Sequence, residues 1–123
     1  MGKFVVKKAG EGIMFNLKAT NGQIIATSQV YASESALKSG IESVKKNSKS
    51  KIEDQTVEGY KTLTNPKYEI FIDKGNKYRF HLKAMNGEIV AASQGYISKA
   101  SAKNGIESIS ANAVDAVIEY EKE

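Results

Sequence analysis

The feature that most constrains this chain is internal repetition. Lys18-Ala19-Thr20-Asn21-Gly22 recurs 65 positions later as Lys83-Ala84-Met85-Asn86-Gly87. At that offset Ile13–Asn47 matches Tyr78–Asn112 at 18 of 35 positions without a gap. Phe15, Leu17, Ser28, Gln29, Tyr31 and Gly40-Ile41-Glu42-Ser43 all meet identical partners. Upstream, Lys3-Phe4 aligns with Lys67-Tyr68 after a one-residue gap. Thr56–Pro66 holds the only proline and reads as the connection. The first copy is set at residues 1–57, the connection at 58–66 and the second copy at 67–123. A period of this kind means one supersecondary unit written twice.

Each copy resolves into the same elements. Phe4-Val5-Val6-Lys7 reads as a short strand and Ala9–Gly12 as a turn. Phe15, Leu17 and Ala19 share one face of a second strand, with Asn16, Lys18 and Thr20 on the other, because successive side chains alternate across a strand. Asn21-Gly22 is expected at the centre of a type I′ hairpin turn. That turn sets Ala19 opposite Ile24, Leu17 opposite Ala26 and Phe15 opposite Ser28. Ser33 is the expected helix N-cap, with Glu34 in the first turn. Beyond it Ala36, Leu37, Gly40, Ile41 and Val44 fall within an arc of roughly 140°, a stripe that faces a core. In the second copy the cap is Ser98 and the stripe is Ala102, Gly105, Ile106 and Ile109. Gly40 and Gly105 cost about 1 kcal/mol each within a helix, so their place on the stripe implies a close approach. Ala19, Ala26, Ala84 and Ala91 are the small residues expected to meet them. Lys51–Thr56 and Asp115–Tyr120 read as strands following the two helices.

Each unit is therefore β-β-β-α-β, an α+β class. A unit of roughly fifty residues has a thin core and is marginal alone. The two copies should share one core, and a pseudo-two-fold arrangement like a fused dimer is the natural solution.

The pattern F-x-L-K-A-x-N-G-x-I-x-A-x-S-Q-x-Y, with a helix carrying G-I-E-S-[VI] behind it, resembles the YegP-like proteins, small prokaryotic proteins of uncharacterised function. Phe15–Tyr31 with Gly40–Val44 carries the likeness in one copy, and Phe80–Tyr96 with Gly105–Ile109 in the other. Asn65-Pro66-Lys67-Tyr68 resembles the usual entry into the second copy. The resemblance implies a tandem duplication of β(3)-α-β units that form one shared, mainly antiparallel sheet with two helices. It also implies that the C-terminal strands are swapped between units. It implies no activity and carries no functional residues with it.

Composition narrows the chemistry. There are no cysteines, which removes disulfides, thiolate catalysis and Cys-based zinc sites. The chain opens Met-Gly-Lys-Phe-Val-Val without an apolar leader, and no apolar run approaches the ~20 residues of a membrane span. A cytoplasmic, reducing setting with no membrane partner is the expectation. The net charge of +4 lies in residues 1–65, where ten Lys oppose six acids; seven Lys and Arg79 balance eight acids in residues 66–123. Such a surplus suits solubility or weak nucleic-acid attraction. Lys45-Lys46-Asn47-Ser48-Lys49-Ser50-Lys51 is the densest basic run, read as a favourable helix C-terminus followed by a solvated loop.

No constellation for catalysis is legible. His81 is the single histidine and stands between Arg79 and Lys83, opposite Ala92. Ser-His-Asp chemistry needs a base held by an acid and touching a nucleophile, and nearby cations lower a histidine's pKa. Gly10-Glu11-Gly12 is a turn, too short to cradle phosphate. No metal or cofactor is expected. The candidate binding surface is the sheet face away from the helices: Asn16, Lys18 and Gln29 from the first copy, and Arg79, His81, Lys83 and Gln94 from the second, with Gln94 paired to Arg79. Met14, Thr27 and Phe71 are expected beside them. The reading is a monomeric, non-enzymatic binding or interaction module whose partner is a protein or nucleic acid. Single-stranded nucleic acid is the alternative function, since such a face can hold bases if aromatics stack on them. An enzyme of unfamiliar type is the third reading.

Overall fold

The structure, a computed structural model, describes residues 2–121. Its elements run β1 (Lys3–Ala9), β2 (Gly12–Lys18), β3 (Ile24–Thr27), α1 (Glu34–Asn47), β4 (Ile52–Asp54), β5 (Lys67–Ile72), β6 (Tyr78–Lys83), β7 (Ile89–Ala92), α2 (Lys99–Asn112) and β8 (Val117–Tyr120). Eight strands form one sheet in the order β4-β5-β6-β7-β3-β2-β1-β8. Within each copy the first three strands pair antiparallel. The fourth strand crosses over: β4 of the first copy pairs parallel to β5 of the second, and β8 pairs parallel to β1 of the first. The copies are thus joined by an exchange of C-terminal strands, as the resemblance implied.

Alternation supplies the core. Phe4, Val6, Phe15, Leu17, Tyr68, Ile70, Phe80 and Leu82 point to one face and form a single cluster with Leu37, Ile41 and Val44 of α1 and Ala102, Ile106 and Ile109 of α2. Burying each large side chain contributes ~1.5–3 kcal/mol, and here both copies draw on one interior. The helices do not sit only on their own copies: α1 lies against β2, β6 and β7, and α2 against β3 and β6. The caps are as expected, with the Ala36 N–H donating to Ser33 Oγ and the Ser101 N–H to Ser98 Oγ, both at 3.1 Å. On α1 the buried stripe is Leu37, Gly40, Ile41, Val44 and Asn47, and Ala36 is exposed. The stripe ends on Asn47 because its carboxamide folds back to donate to the Ser43 carbonyl at 2.9 Å. Asn112 does the same to Ser108 at 2.8 Å.

The hairpin register differs from the type I′ expectation. The turn spans Ala19–Gly22, closed by the Gly22 N–H donating to the Ala19 carbonyl at 2.9 Å. Only Gly22 (φ 86°) lies in the left-handed region; Asn21 does not. Asn21 Oδ1 accepts from the Gln23 N–H at 3.0 Å, and this Asx bond stabilises the wider turn. The extra residue becomes a bulge between Leu17 and Lys18. Leu17 still pairs with Ala26, but Ile24 pairs with Lys18 rather than Ala19 and is exposed, while Ile25 is buried. Ala84–Gly87 repeats this, leaving Ile89 exposed and Val90 buried.

Candidate functional site

The face away from the helices is organised by a row that crosses every strand. Glu53, Glu69, His81, Ala92, Thr27, Asn16, Val5 and Glu119 are successive lateral neighbours from β4 to β8. Thr27 and Ala92 are equivalent positions of the two copies, and they are the one pair that joins β3 to β7. The pseudo-two-fold axis therefore passes between them. Two expected site residues, His81 and Asn16, flank this pair at equivalent positions.

They have different surroundings. His81 is half-buried with its ring 4.7 Å from that of Phe71. Burial holds its pKa below the usual value, with Lys83 and Arg79 adding to that and Glu69 opposing it. Asn16 is buried, and its Oδ1 meets no hydrogen-bond donor among the described residues. A hollow of about 510 Å³ opens beside the axis, lined by Thr27, His81, Ile89 and Ala92 among others.

The cations of this face are engaged by acids. Arg79 pairs with Asp73 through Nε, and its Nη1 donates to the Ser93 carbonyl at 3.2 Å. Lys83 Nζ lies 3.2 Å from Glu69. Lys67 donates to Glu53 at 2.7 Å and lies 3.3 Å from Glu69. The Leu63 N–H and Gln55 Nε2 also donate to Glu53, each at 2.7 Å, so the connecting segment is tied to this cluster. Burial opposes ionisation of Glu53, but these three donors outweigh it and hold its pKa down at about 2. Lys18 occupies the position equivalent to Lys83, but Val5 stands where the second copy has Glu69. It lines a shallow hollow with Lys3, Val5 and Glu119 instead.

Gln29 borders both faces, lining the hollow beside His81 and also a crevice on the helix side, whereas Gln94 lines only the helix-side crevice. Each lines a helix-side crevice with the tyrosine two residues on, Tyr31 or Tyr96. The β6–β7 pairing starts at His81 and Ala92, so Gln94 is not the ladder partner of Arg79. The strand ends bend at this point: Tyr31 bridges back to Ile13, and Tyr96 to Tyr78. That bend swings the tyrosine ring under its helix, stacked on Phe15 at 6.4 Å or on Phe80 at 6.3 Å.

These residues open two crevices that the strand alternation did not reveal. One, about 480 Å³, is lined by Gln29, Tyr31, Ser39, Gly40 and Ser43 of the first copy and by Ala84, Asn86 and Glu88 of the second. The other, about 250 Å³, is lined by Gln94, Tyr96, Asn104, Gly105 and Ser108 of the second copy and by Ala19, Asn21 and Gln23 of the first. Every one of these positions has its equivalent in the opposite crevice. Each crevice is the gap between the helix of one copy and the hairpin tip of the other. The helical glycines shape it: a Cβ at Gly105 would stand 2.7 Å from Tyr96 Oη and 2.9 Å from Phe80, and Gly40 faces Tyr31 in the same way. The close approach anticipated at these glycines is thus to the tyrosine phenols. The identities of Gln29, Tyr31, Gly40, Ser43 and Asn21 between copies were the available signal, and only the crossed packing assembles them. A broader groove of about 870 Å³ continues from the first crevice along α1, past Glu34, Lys38, Glu42, Lys46 and the exposed Met85.

Among the described residues no group of three or more His, Asp or Glu side chains is placed to hold a metal ion. No helix among them is long and apolar enough to cross a membrane.

The model of a family described as a domain of unknown function, DUF1508, matches residues 9–54 and again 73–119. This chain belongs to the DUF1508 family. The two matched stretches fall within the two copies read from the sequence. A UPF0339 protein of Pasteurella multocida is 40% identical over 119 residues, covering 96% of this chain and 92% of that one. The UPF0339 protein YegP of Yersinia pestis is 37% identical over 119 residues, covering 96% and 94%. A UPF0339 protein of Treponema denticola is 54% identical over 52 residues, which is 42% of this chain but 90% of that protein, so a single copy of the DUF1508 unit also occurs by itself. The solution NMR structure of yegP from E. coli, titled a protein of unknown function, superposes with a TM-score of 0.78 at 32% identity, covering 98% of this chain and 92% of that one. The DUF1508 relatives bear out the YegP-like resemblance and share its lack of a specified function.

Proposed function

We propose that this protein is a non-enzymatic binding module whose binding surface is the pair of crevices on the helix side of the sheet. One observation carries the reading: two clefts related by the internal two-fold, each built from both copies, share a Gln and an Asn carboxamide, a Ser hydroxyl and a Tyr phenol. Convergent polar groups in a cleft between packed elements are the usual form of a small-ligand site. The non-enzymatic part is supported by where His81 lies. It is on the opposite side of the sheet from Ser39, Ser43 and the tyrosines, so the single histidine cannot serve as a base for those hydroxyls. The nucleic-acid reading draws less support, because Arg79 and Lys83 on the outer face are matched by Asp73 and Glu69. Protein-observed NMR screening against a library of small polar metabolites tests the proposal. Hits should move the amide signals of Gln29, Gly40 and Asn86, or of Gln94, Gly105 and Asn21. A library that moves only signals around Arg79 and His81, or that is chemically transformed by the protein, overturns it.

A further inference from the structure

The two crevices are lined by equivalent positions, though the α1 crevice is about twice as large, and they differ in charge at one equivalent pair, Glu88 and Gln23. Both residues follow the hairpin tip, and both are held by the same neighbour. Asn86 Nδ2 donates to Glu88 Oε1 at 3.1 Å, and Asn21 Nδ2 to Gln23 Oε1 at 3.5 Å. The crevice at α2 is lined by the carboxamides of Asn21, Gln23, Gln94 and Asn104 and by hydroxyls, with no carboxylate or ammonium group. The crevice at α1 is lined by Glu88, which also borders the hollow beside His81. Along the adjoining groove Glu34, Lys38, Glu42 and Lys46 alternate in sign at four-residue spacing and offset one another. Glu88 forms no ion pair among the described residues. Its field reaches into the cleft: burial raises the pKa of Tyr31, and the charge of Glu88 raises it further, whereas no acid adds to the burial that raises Tyr96.

Resting on the binding-module reading, we infer that the two crevices select ligands of different charge. The α1 crevice takes a small polar molecule bearing a protonated amine, with Glu88 as counter-ion and Gln29, Ser43 and the Tyr31 phenol as hydrogen-bonding partners. The α2 crevice takes the neutral, hydroxyl-bearing counterpart. The contrast is modest because Glu88 is exposed and its attraction is screened by water and salt.

The test is a titration of the ¹⁵N-labelled full chain with D-glucosamine and with D-glucose, at about pH 6 and low salt, where the amine is protonated. The two probes differ in one substituent. Signals of Gln29, Gly40 and Asn86 should saturate at glucosamine concentrations roughly two- to five-fold below those needed with glucose, as expected for one screened ion pair. Signals of Gln94, Gly105 and Asn21 should show no preference for the amine. Glu88→Gln should abolish the preference at α1, and Gln23→Glu should create one at α2. Equal preference at both crevices, or a preference that survives Glu88→Gln, overturns the assignment. Crevices silent to both sugars overturn this ligand class, while the metabolite library separately judges the binding reading.

Discussion

Glu53 and Lys67 belong to different copies of the repeat, and their side chains meet 2.7 Å apart with almost no exposure to solvent. The equivalent pair across the two-fold, Lys3 and Glu119, is 3.0 Å apart and about half exposed. The same strand exchange therefore carries one buried ion pair and one solvated ion pair. The difference arises because the connecting segment donates to Glu53 through Leu63 and Gln55, while Glu69 supplies a second carboxylate to Lys67.

The buried pair makes stability depend on acid. Glu53 ionises near pH 2 when folded and near 4.5 when unfolded. Its contribution is present above about pH 5 and is lost as the pH falls through 4.5 toward 2, about 3 kcal/mol in all. Lys67 is raised above its ordinary 10.5, so its share persists to high pH and is lost only as the pH climbs past the raised value. Urea unfolding followed from pH 7 to pH 2.5 should show this decline. Glu53→Gln should lower stability at pH 7 by about 3 kcal/mol and flatten the acid limb. A variant as acid-sensitive as the parent would show that other carboxylates dominate.

Gly40 is a packing position, not a helix defect. Replacing it with alanine should gain helix propensity yet destabilise the protein by about 1–3 kcal/mol, because the methyl group enters the space of the Tyr31 phenol. Ser39→Ala, one residue away and exposed, should change stability by no more than about 0.5 kcal/mol. Thermal melts of the two variants side by side measure the contrast, and a Gly40→Ala protein as stable as the parent would contradict the close approach.

The bulge predicts an inverted pair of truncations. Ile25→Ala and Val90→Ala remove buried side chains and should cost about 2–4 kcal/mol each. Ile24→Ala and Ile89→Ala, whose side chains are exposed, should cost under about 1 kcal/mol. A strict two-residue turn would give the opposite order at position 24.

Strand exchange predicts that neither copy is a finished unit. A fragment of residues 1–57 leaves β1 without β8 and β4 without β5, and it exposes half of the shared core. Expressed alone it should be either unfolded or a concentration-dependent dimer by circular dichroism and light scattering. Mixing it with residues 58–123 should restore a cooperative melt. A folded monomer of the first fragment would refute the shared interior.

Much of the fold was legible because the signals that set it are local. Phe15 and Leu17 alternate with Asn16 and Lys18, Ser33 and Ser98 cap helices, and the 65-residue offset doubles every inference. The hairpin register was misread because Asn-Gly also suits a wider turn in which glycine alone takes the left-handed conformation, and the Asx bond from Asn21 selects that turn. The outer face was identified correctly in position for Asn16, Arg79, His81 and Lys83. Its character was not, since the carboxylates that engage the cations lie on neighbouring strands far off in sequence. Alternation does not carry past the point where the strands bend toward their helices, so Gln94 turns to the helix side and Gln29 borders both faces.

The sequence by itself determined that one unit is written twice, which residues of each strand and helix are apolar, and where the two helices are capped. Periodicity within a segment carries that information, because a strand or helix presents its faces by fixed geometry. Only the tertiary structure decided which copy's helix would stand against which copy's hairpin, and hence that Gln29, Tyr31 and Gly40 would share a cleft with Asn86 and Glu88. The physical reason is the exchange of β4 and β8, which locks the two copies around the axis at Thr27 and Ala92 and brings together side chains that no local pattern links.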